Sequence, residues 1–173
     1  MCRPGDELIP FLTQVGCDDG VIAHCRVVRD VAVRIANGIE KAGTQVDIDL
    51  VAAGAIIHDI GRSQTHGMDH ADVGGCICRS LGFDEQICLI VERHIGAGLR
   101  AAEREGFGLL PVDRIPETLE EKIVAHADNL VKGTRVLNQQ EFESALDRFD
   151  RQVKERFLAL AHELNQLLEK TDS

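Results

Sequence analysis

Apolar residues recur along most of this chain at steps of three and four, the period of a helix with one buried face. Val28, Val31, Ile35, Ile39 and Ala42 form such a stripe and predict a long helix over residues 20–42. Asp18 or Asp19 is its N-cap and Gly43 ends it. A shorter helix covers residues 3–15, followed by a turn over 16–20. The run Leu50-Val51-Ala52-Ala53-Gly54-Ala55-Ile56-Ile57 predicts a deeply buried helix, capped by Asp47 or Asp49, ending near His58-Asp59 with Gly61 as its stop. Asp69 caps a further helix to residue 81, with His70, Val73, Ile77 and Leu81 on one stripe. Asp84 begins another, whose inner face carries Ile87, Ile90, Val91 and His94.

Residues 96–116 break the pattern with glycines, prolines and mixed charges, apart from a short helix over 99–104. Long irregular segments in compact domains often carry function. Thr118-Leu119-Glu120-Glu121 matches a capping box, with Glu121 reaching back to the cap. The helix that follows buries Ile123, Val124, Ala127 and Val131. Phe142, Leu146, Phe149, Val153, Phe157, Leu160, Leu164 and Leu167 predict a last helix over 138–169, with a bend. No stretch has a strand pattern of useful length, so the expected class is all-α. One domain fits 173 residues.

Composition narrows this further. Trp and Tyr are absent and 44% of residues are hydrophobic, so the core is aliphatic with some Phe. A net charge of −10 makes the chain a poor binder of nucleic acid, whose phosphates it repels. It does not exclude a small phosphate ester held by a metal, because the ion's charge dominates locally. The sequence contains neither a membrane-spanning run nor a signal peptide, and the expectation is a cytoplasmic protein with reduced cysteines. Cys76-x-Cys78 is too close for a zinc knuckle. Cys25, Cys76, Cys78 and Cys88 are expected as small core residues.

The polar residues that face inward by phase are His24, His58, Asp59, His70, His94 and Asp128, spread over separate elements. One inward His is ordinarily a core histidine with a satisfied partner. Six imidazoles and carboxylates buried together without a cation would be very unfavourable. All are metal-ligand types.

The order His24 … His58-Asp59 … Asp128 resembles the HD superfamily of metal-dependent phosphohydrolases, and His58-Asp59-Ile60-Gly61 is the form that names its HDIG subset. The resemblance spans about residues 20–132. The segment Thr118-Leu119-Glu120-Glu121-Lys122-Ile123-Val124-Ala125-His126-Ala127-Asp128-Asn129-Leu130 is similar to that of small stand-alone archaeal-type HD proteins. The resemblance implies a single HD domain over residues 1–173: a helical bundle with a buried metal site and a C-terminal helical extension over 138–170. His24, His58, Asp59 and Asp128 would bind a first ion. His70 and His94 would bind a second, with Asp59 bridging. Imidazole and carboxylate donors suit Mn, Fe, Co, Ni or Zn, and Mg if only the first site fills.

The implied activity is hydrolysis of a small phosphate ester, a nucleotide first among them, by metal-activated water at Asp59. Arg62, directly after the HDIG segment, is the first candidate to grip a phosphate, with Ser63 and Thr65 as further donors. His66 is open between a second-metal ligand, a substrate contact and a solvated loop residue. Arg93 and Lys132 could assist, with surface placement as the default, and Arg100 and Arg104 sit on a loop that could cover the site. His126 and His162 read as structural and surface residues.

The chain departs from the HD-GYP subgroup, having Arg93-His94-Ile95 in place of paired histidines and no GYP segment, which weighs against a cyclic dinucleotide. Symmetrical dinucleoside-tetraphosphate hydrolysis is the nearest alternative. A non-catalytic regulatory domain that binds metal and nucleotide is the alternative from another class. The apolar stripe of the last helix could instead form a homodimer seam.

Overall fold

The computed structural model describes residues 3–169. Its helices are α1 Ile9–Val15, α2 Asp19–Lys41, α3 Ile48–Ile57, α4 His70–Ser80, α5 Glu85–Arg93, α6 Ala101–Gly106, α7 Leu119–Asn129, α8 Gln139–Ala145 and α9 Arg151–Leu168. Short 3-10 turns lie at Asp6–Leu8, Ile60–Ser63 and Leu146–Arg148. The class is all-α, as expected. Among the described residues, no helix is long and apolar enough to cross a membrane.

The helix starts follow local chemistry. The carboxylates of Asp18, Asp47 and Asp150 accept N–H bonds from Val21, Leu50 and Val153 at 2.8–2.9 Å. Caps of this kind contribute about 1 kcal/mol each. Asp69 differs: its Oδ1 accepts the Thr65 hydroxyl at 2.8 Å, and its side chain does not cap α4. Glu121 departs too. Thr118 caps α7 as expected, but Glu121 accepts the N–H of Glu117 and pairs with Arg93 instead of returning to Thr118.

α3 is the centre of the packing. Val51, Ala52, Gly54, Ala55, Ile56 and Ile57 are all buried, which suits a helix apolar on every side. α2 and α7 flank it, and α4 pairs with α5. One hydrophobic cluster joins α2, α3, α5 and α7 to Phe142, Leu146, Phe157, Leu160 and Leu164. The other joins Leu12 and Cys25 to Ile56, Ile57, Ile60, Cys78 and Val91. The apolar stripe of α8 and α9 is thus spent largely on the chain's own core.

Three further expectations change. The last helix is two helices, because Phe149 and Asp150 are extended and Asp150 caps a new start. Residues 131–136 form a small antiparallel hairpin, β1 Val131–Lys132 with β2 Arg135–Val136, where no strand was expected. Cys76 is exposed, whereas Cys25, Cys78 and Cys88 are buried as expected.

Candidate metal centre

His58 and Asp59 leave the C-terminal end of α3, the most buried helix, and arrive in the interior. The 3-10 turn that follows lies against the start of α4. Gly61 permits this: a Cβ there would stand 1.9 Å from the His70 carbonyl oxygen and 2.7 Å from the Gly74 nitrogen. Gly61 is therefore a close-approach glycine within the turn, and α3 has already ended at Ile57.

α2, α3, α4, α5 and α7 bring all six expected donors together. His24 Nε2 lies 2.9 Å from Asp128 Oδ1 and 3.9 Å from Asp59 Oδ2. His58 Nε2 lies 3.7 Å from Asp59 Oδ2 and 3.6 Å from Asp128 Oδ1. On the other side, Asp59 Oδ1 lies 3.3 Å from His70 Nε2 and 3.5 Å from His94 Nε2. Among the described residues, three overlapping groups could each hold an ion: His24, His58 and Asp59; His58, His94 and Asp128; and Asp59, His70 and His94.

Hydrogen bonds to the far ring nitrogens set the tautomers. Nδ1 of His24, His58, His70 and His94 contacts the carbonyl oxygens of Gly133, Ala55, Gly67 and Val91 at 2.7–2.8 Å. A carbonyl only accepts, so each Nδ1 carries a proton, and in the neutral ring Nε2 is the nitrogen that presents a lone pair. The four Nε2 atoms and two carboxylates face one another. His58 Nε2 and Asp59 Oδ1 are buried without a hydrogen-bond partner. Orphaned donors of this kind, with carbonyls orienting the imidazoles behind them, fit divalent cations.

The charges point the same way. Burial opposes charge on His58, yet Cys25, Asp59 and Asp128 raise its imidazole well above the ordinary range. Burial likewise opposes charge on Asp59 and Asp128, but the surrounding histidines, with Arg62 beside Asp59, hold both carboxyls far below the usual range. Burial and the neighbouring His94 push His70 down to about 4, leaving it neutral near pH 7. The carboxylates are ionised, and the cluster attracts positive charge.

The remaining expected site residues divide. Arg62 stands at the edge of the cluster, with Nε donating to Asp59 Oδ2 at 2.7 Å. Ser63 donates its hydroxyl proton to the Ile60 carbonyl, and Thr65 donates its own to Asp69, so neither holds a free proton for a phosphate. His66 is exposed and belongs to none of the three donor groups. Arg93 is occupied by Glu117 and Glu121. Arg104 is buried, bonding Asp72 and the Leu110 carbonyl, and so pins the 96–116 segment instead of facing a substrate. Arg100 and Lys132 are exposed. His162 is exposed and His126 buried, in keeping with their expected surface and structural places.

Two supporting groups escaped the sequence reading. The Gly133 carbonyl orients His24 from the hairpin turn. Asn129 Nδ2 donates to the Gly96 carbonyl at 2.9 Å, tying the end of α7 to the segment after His94. The hairpin had a faint signal: a Gly-first two-residue turn between Val131-Lys132 and Arg135-Val136. A surface cleft of about 440 Å³ beside the hairpin, lined by Lys132, Arg135, Gln140 and Glu141, holds none of the six donors, so the chemistry is assigned to the donor cluster.

Comparison with known proteins agrees with this geometry. The HD domain family model matches residues 21–133. An uncharacterised protein of Methanocaldococcus jannaschii is 45% identical over 158 residues, taking in 88% of this chain and 92% of that one. That coverage fits the expected likeness to small stand-alone HD proteins. A tRNA (cytidine(56)-2'-O)-methyltransferase of Thermoplasma volcanium is 46% identical over 133 residues, which are 77% of this chain but only 38% of that protein. Among solved structures, the L. monocytogenes phosphodiesterase PgpH HD domain in complex with cyclic-di-AMP aligns with a TM-score of 0.57. It covers 95% of this chain and 99% of that one at 16% identity, a likeness of fold. The matched segment contains every one of the six donors, and the chain belongs to the HD domain family.

Proposed function

We propose that this chain hydrolyses a small phosphate ester, a nucleotide by preference, at a centre of two divalent ions. The observation that carries the reading is the arrangement of Asp59 with the histidines. Its Oδ2 faces His24 and His58, and its Oδ1 faces His70 and His94. One carboxylate shared between two groups of Nε2 lone pairs suits a bridge. His24, His58, Asp59 and Asp128 would hold one ion, and Asp59, His70 and His94 the other. The chemistry these residues would gain by holding ions is a water of lowered pKa and positive charge opposite phosphoryl oxygens. The protein's own residues supply the frame. Backbone carbonyls hold each imidazole in the metal-binding tautomer, and burial keeps His70 neutral and able to coordinate.

A nucleotide substrate draws support from the cyclic-di-AMP bound by the PgpH domain, which shares this fold. Dinucleoside tetraphosphates stay in the reading on the strength of the donor pattern. The non-catalytic alternative draws on the methyltransferase relative, where the similar segment is a minor part of a protein named for another activity. The experiment is a turnover screen with Mn²⁺ against nucleoside monophosphates, cyclic mono- and dinucleotides and diadenosine tetraphosphate. Phosphate or nucleotide release that is lost in His58→Ala supports the enzyme. Tight binding of a nucleotide without release across the panel would favour the binding domain.

A further inference from the structure

We infer that Arg62 is a positioning residue for Asp59, holding that carboxylate with one oxygen toward each ion, and that gripping phosphate is not its principal task. The inference rests on the two-ion reading above.

The turn after Asp59 is built for this contact. A 3-10 helix has three residues per turn, so side chains three apart stand one above the other. Residues 60–63 form such a turn. The Arg62 N–H closes it on the Asp59 carbonyl at 2.9 Å. The Arg62 side chain then returns over Asp59, and Nε meets Oδ2 at 2.7 Å. Backbone and side chain of one residue thus clamp the same neighbour. Gly61, by having no Cβ, lets the turn lie against His70, so that His70 reaches Oδ1 of the same carboxylate.

Asp59 has little else to orient it. Its Oδ1 has no hydrogen-bond partner, and its side chain is 6% exposed, so water offers scant help. A carboxylate free to rotate could turn both oxygens toward the His24 and His58 side, leaving His70 and His94 without an anionic donor. A guanidinium beside a cation site also repels the ion, and its NH2 group stands 3.5 Å from His70 Nε2. The bond to Asp59 Oδ2 gives that cost a return in geometry. An oxygen of a carboxylate has two lone pairs, so Oδ2 can accept the Nε proton and still face an ion.

The test is Mn²⁺ binding to wild type, Arg62→Ala and Arg62→Lys by calorimetry, with inorganic phosphate titrated into each at saturating Mn²⁺. Removing groups that orient ligands typically costs 10–100-fold in metal affinity. The expected result is two equivalents in wild type and a second equivalent weakened about 10–100-fold in Arg62→Ala. Arg62→Lys, which keeps a donor, should recover part of that loss, and phosphate affinity at saturating Mn²⁺ should change little. Arg62→Ala that binds both equivalents as wild type does, but loses phosphate affinity, overturns the inference and leaves the two-ion reading standing. Wild type that binds no Mn²⁺ overturns the two-ion reading and this inference together. Circular dichroism confirms folding, and Arg62→Lys remains informative if Arg62→Ala unfolds.

Discussion

Nε2 of His70 and Nε2 of His94 face each other at 3.2 Å, while each ring gives its Nδ1 proton to a backbone carbonyl, that of Gly67 or Val91. Two imidazole lone pairs at that distance repel unless a positive charge lies at their meeting point. Asp59 Oδ1, without a hydrogen-bond partner of its own, closes the third side. In the two-ion reading this half meets the half formed by His24, His58 and Asp128 at Asp59, and His94 also lies beside His58 and Asp128.

Removing one half should therefore leave the other. Elemental analysis of purified protein is expected to give near two divalent ions per chain. His94→Ala should lose about one, and Asp59→Ala should lose both, because Asp59 turns one carboxylate oxygen to each side. Equal metal content in wild type and His94→Ala would remove the second ion from the account. Chelation should lower the melting temperature. An ion present at about 100 times its dissociation constant stabilises the fold by about 2.7 kcal/mol.

Gly61→Ala tests the close approach at the HDIG turn. The added methyl would meet backbone atoms, the His70 carbonyl and the Gly74 nitrogen, and backbone gives way less readily than a flexible side chain. Overpacking commonly costs about 1–3 kcal/mol, and a contact this short belongs at the upper end. Urea denaturation should register that loss, and the second ion should weaken because His70 sits on the displaced segment. Wild-type stability in Gly61→Ala would mean the turn and α4 are further apart than described.

His126 predicts a pH dependence of stability. It is 7% exposed, and its Nδ1 has no hydrogen-bond partner. The ring meets Phe142 edge-on at 5.7 Å. Burial pushes its imidazole down to about 4 from an ordinary 6.5. The unfolded chain therefore takes up this proton first as pH falls. Its stabilising contribution is complete above about 6.5 and is lost progressively toward 4. His126→Leu should lose less stability than wild type between pH 7 and pH 4, by up to roughly 3 kcal/mol. Urea titrations across that range, with chelator in every sample to remove metal effects, make the comparison. Parallel curves for the two proteins would place His126 in contact with solvent.

The helices and the inward phase of the six donors were legible in the amino-acid sequence, because both are local properties. A three-and-four stripe marks the face of one helix, and Asp18, Asp47 and Thr118 announce helix starts through bonds to residues three away. The donor types also declared themselves, since His and Asp at core-facing positions need a partner of opposite charge wherever the helices go. Tertiary structure decided which residue answers which. His24 meets Asp128 across 104 positions and the Gly133 carbonyl across 109, and no periodicity reports on such distances. The hairpin that carries Gly133 has only two residues in each strand, too few to show alternation. Arg104 sat on a loop that could cover the site until folding buried it against Asp72, and the bond from Arg62 to Asp59 came from the 3-10 turn that lays one over the other. Spacing along a chain tells which side of a helix a residue occupies. Only the packed chain, where burial makes every unpaired charge costly, decides which other residue must be there to meet it.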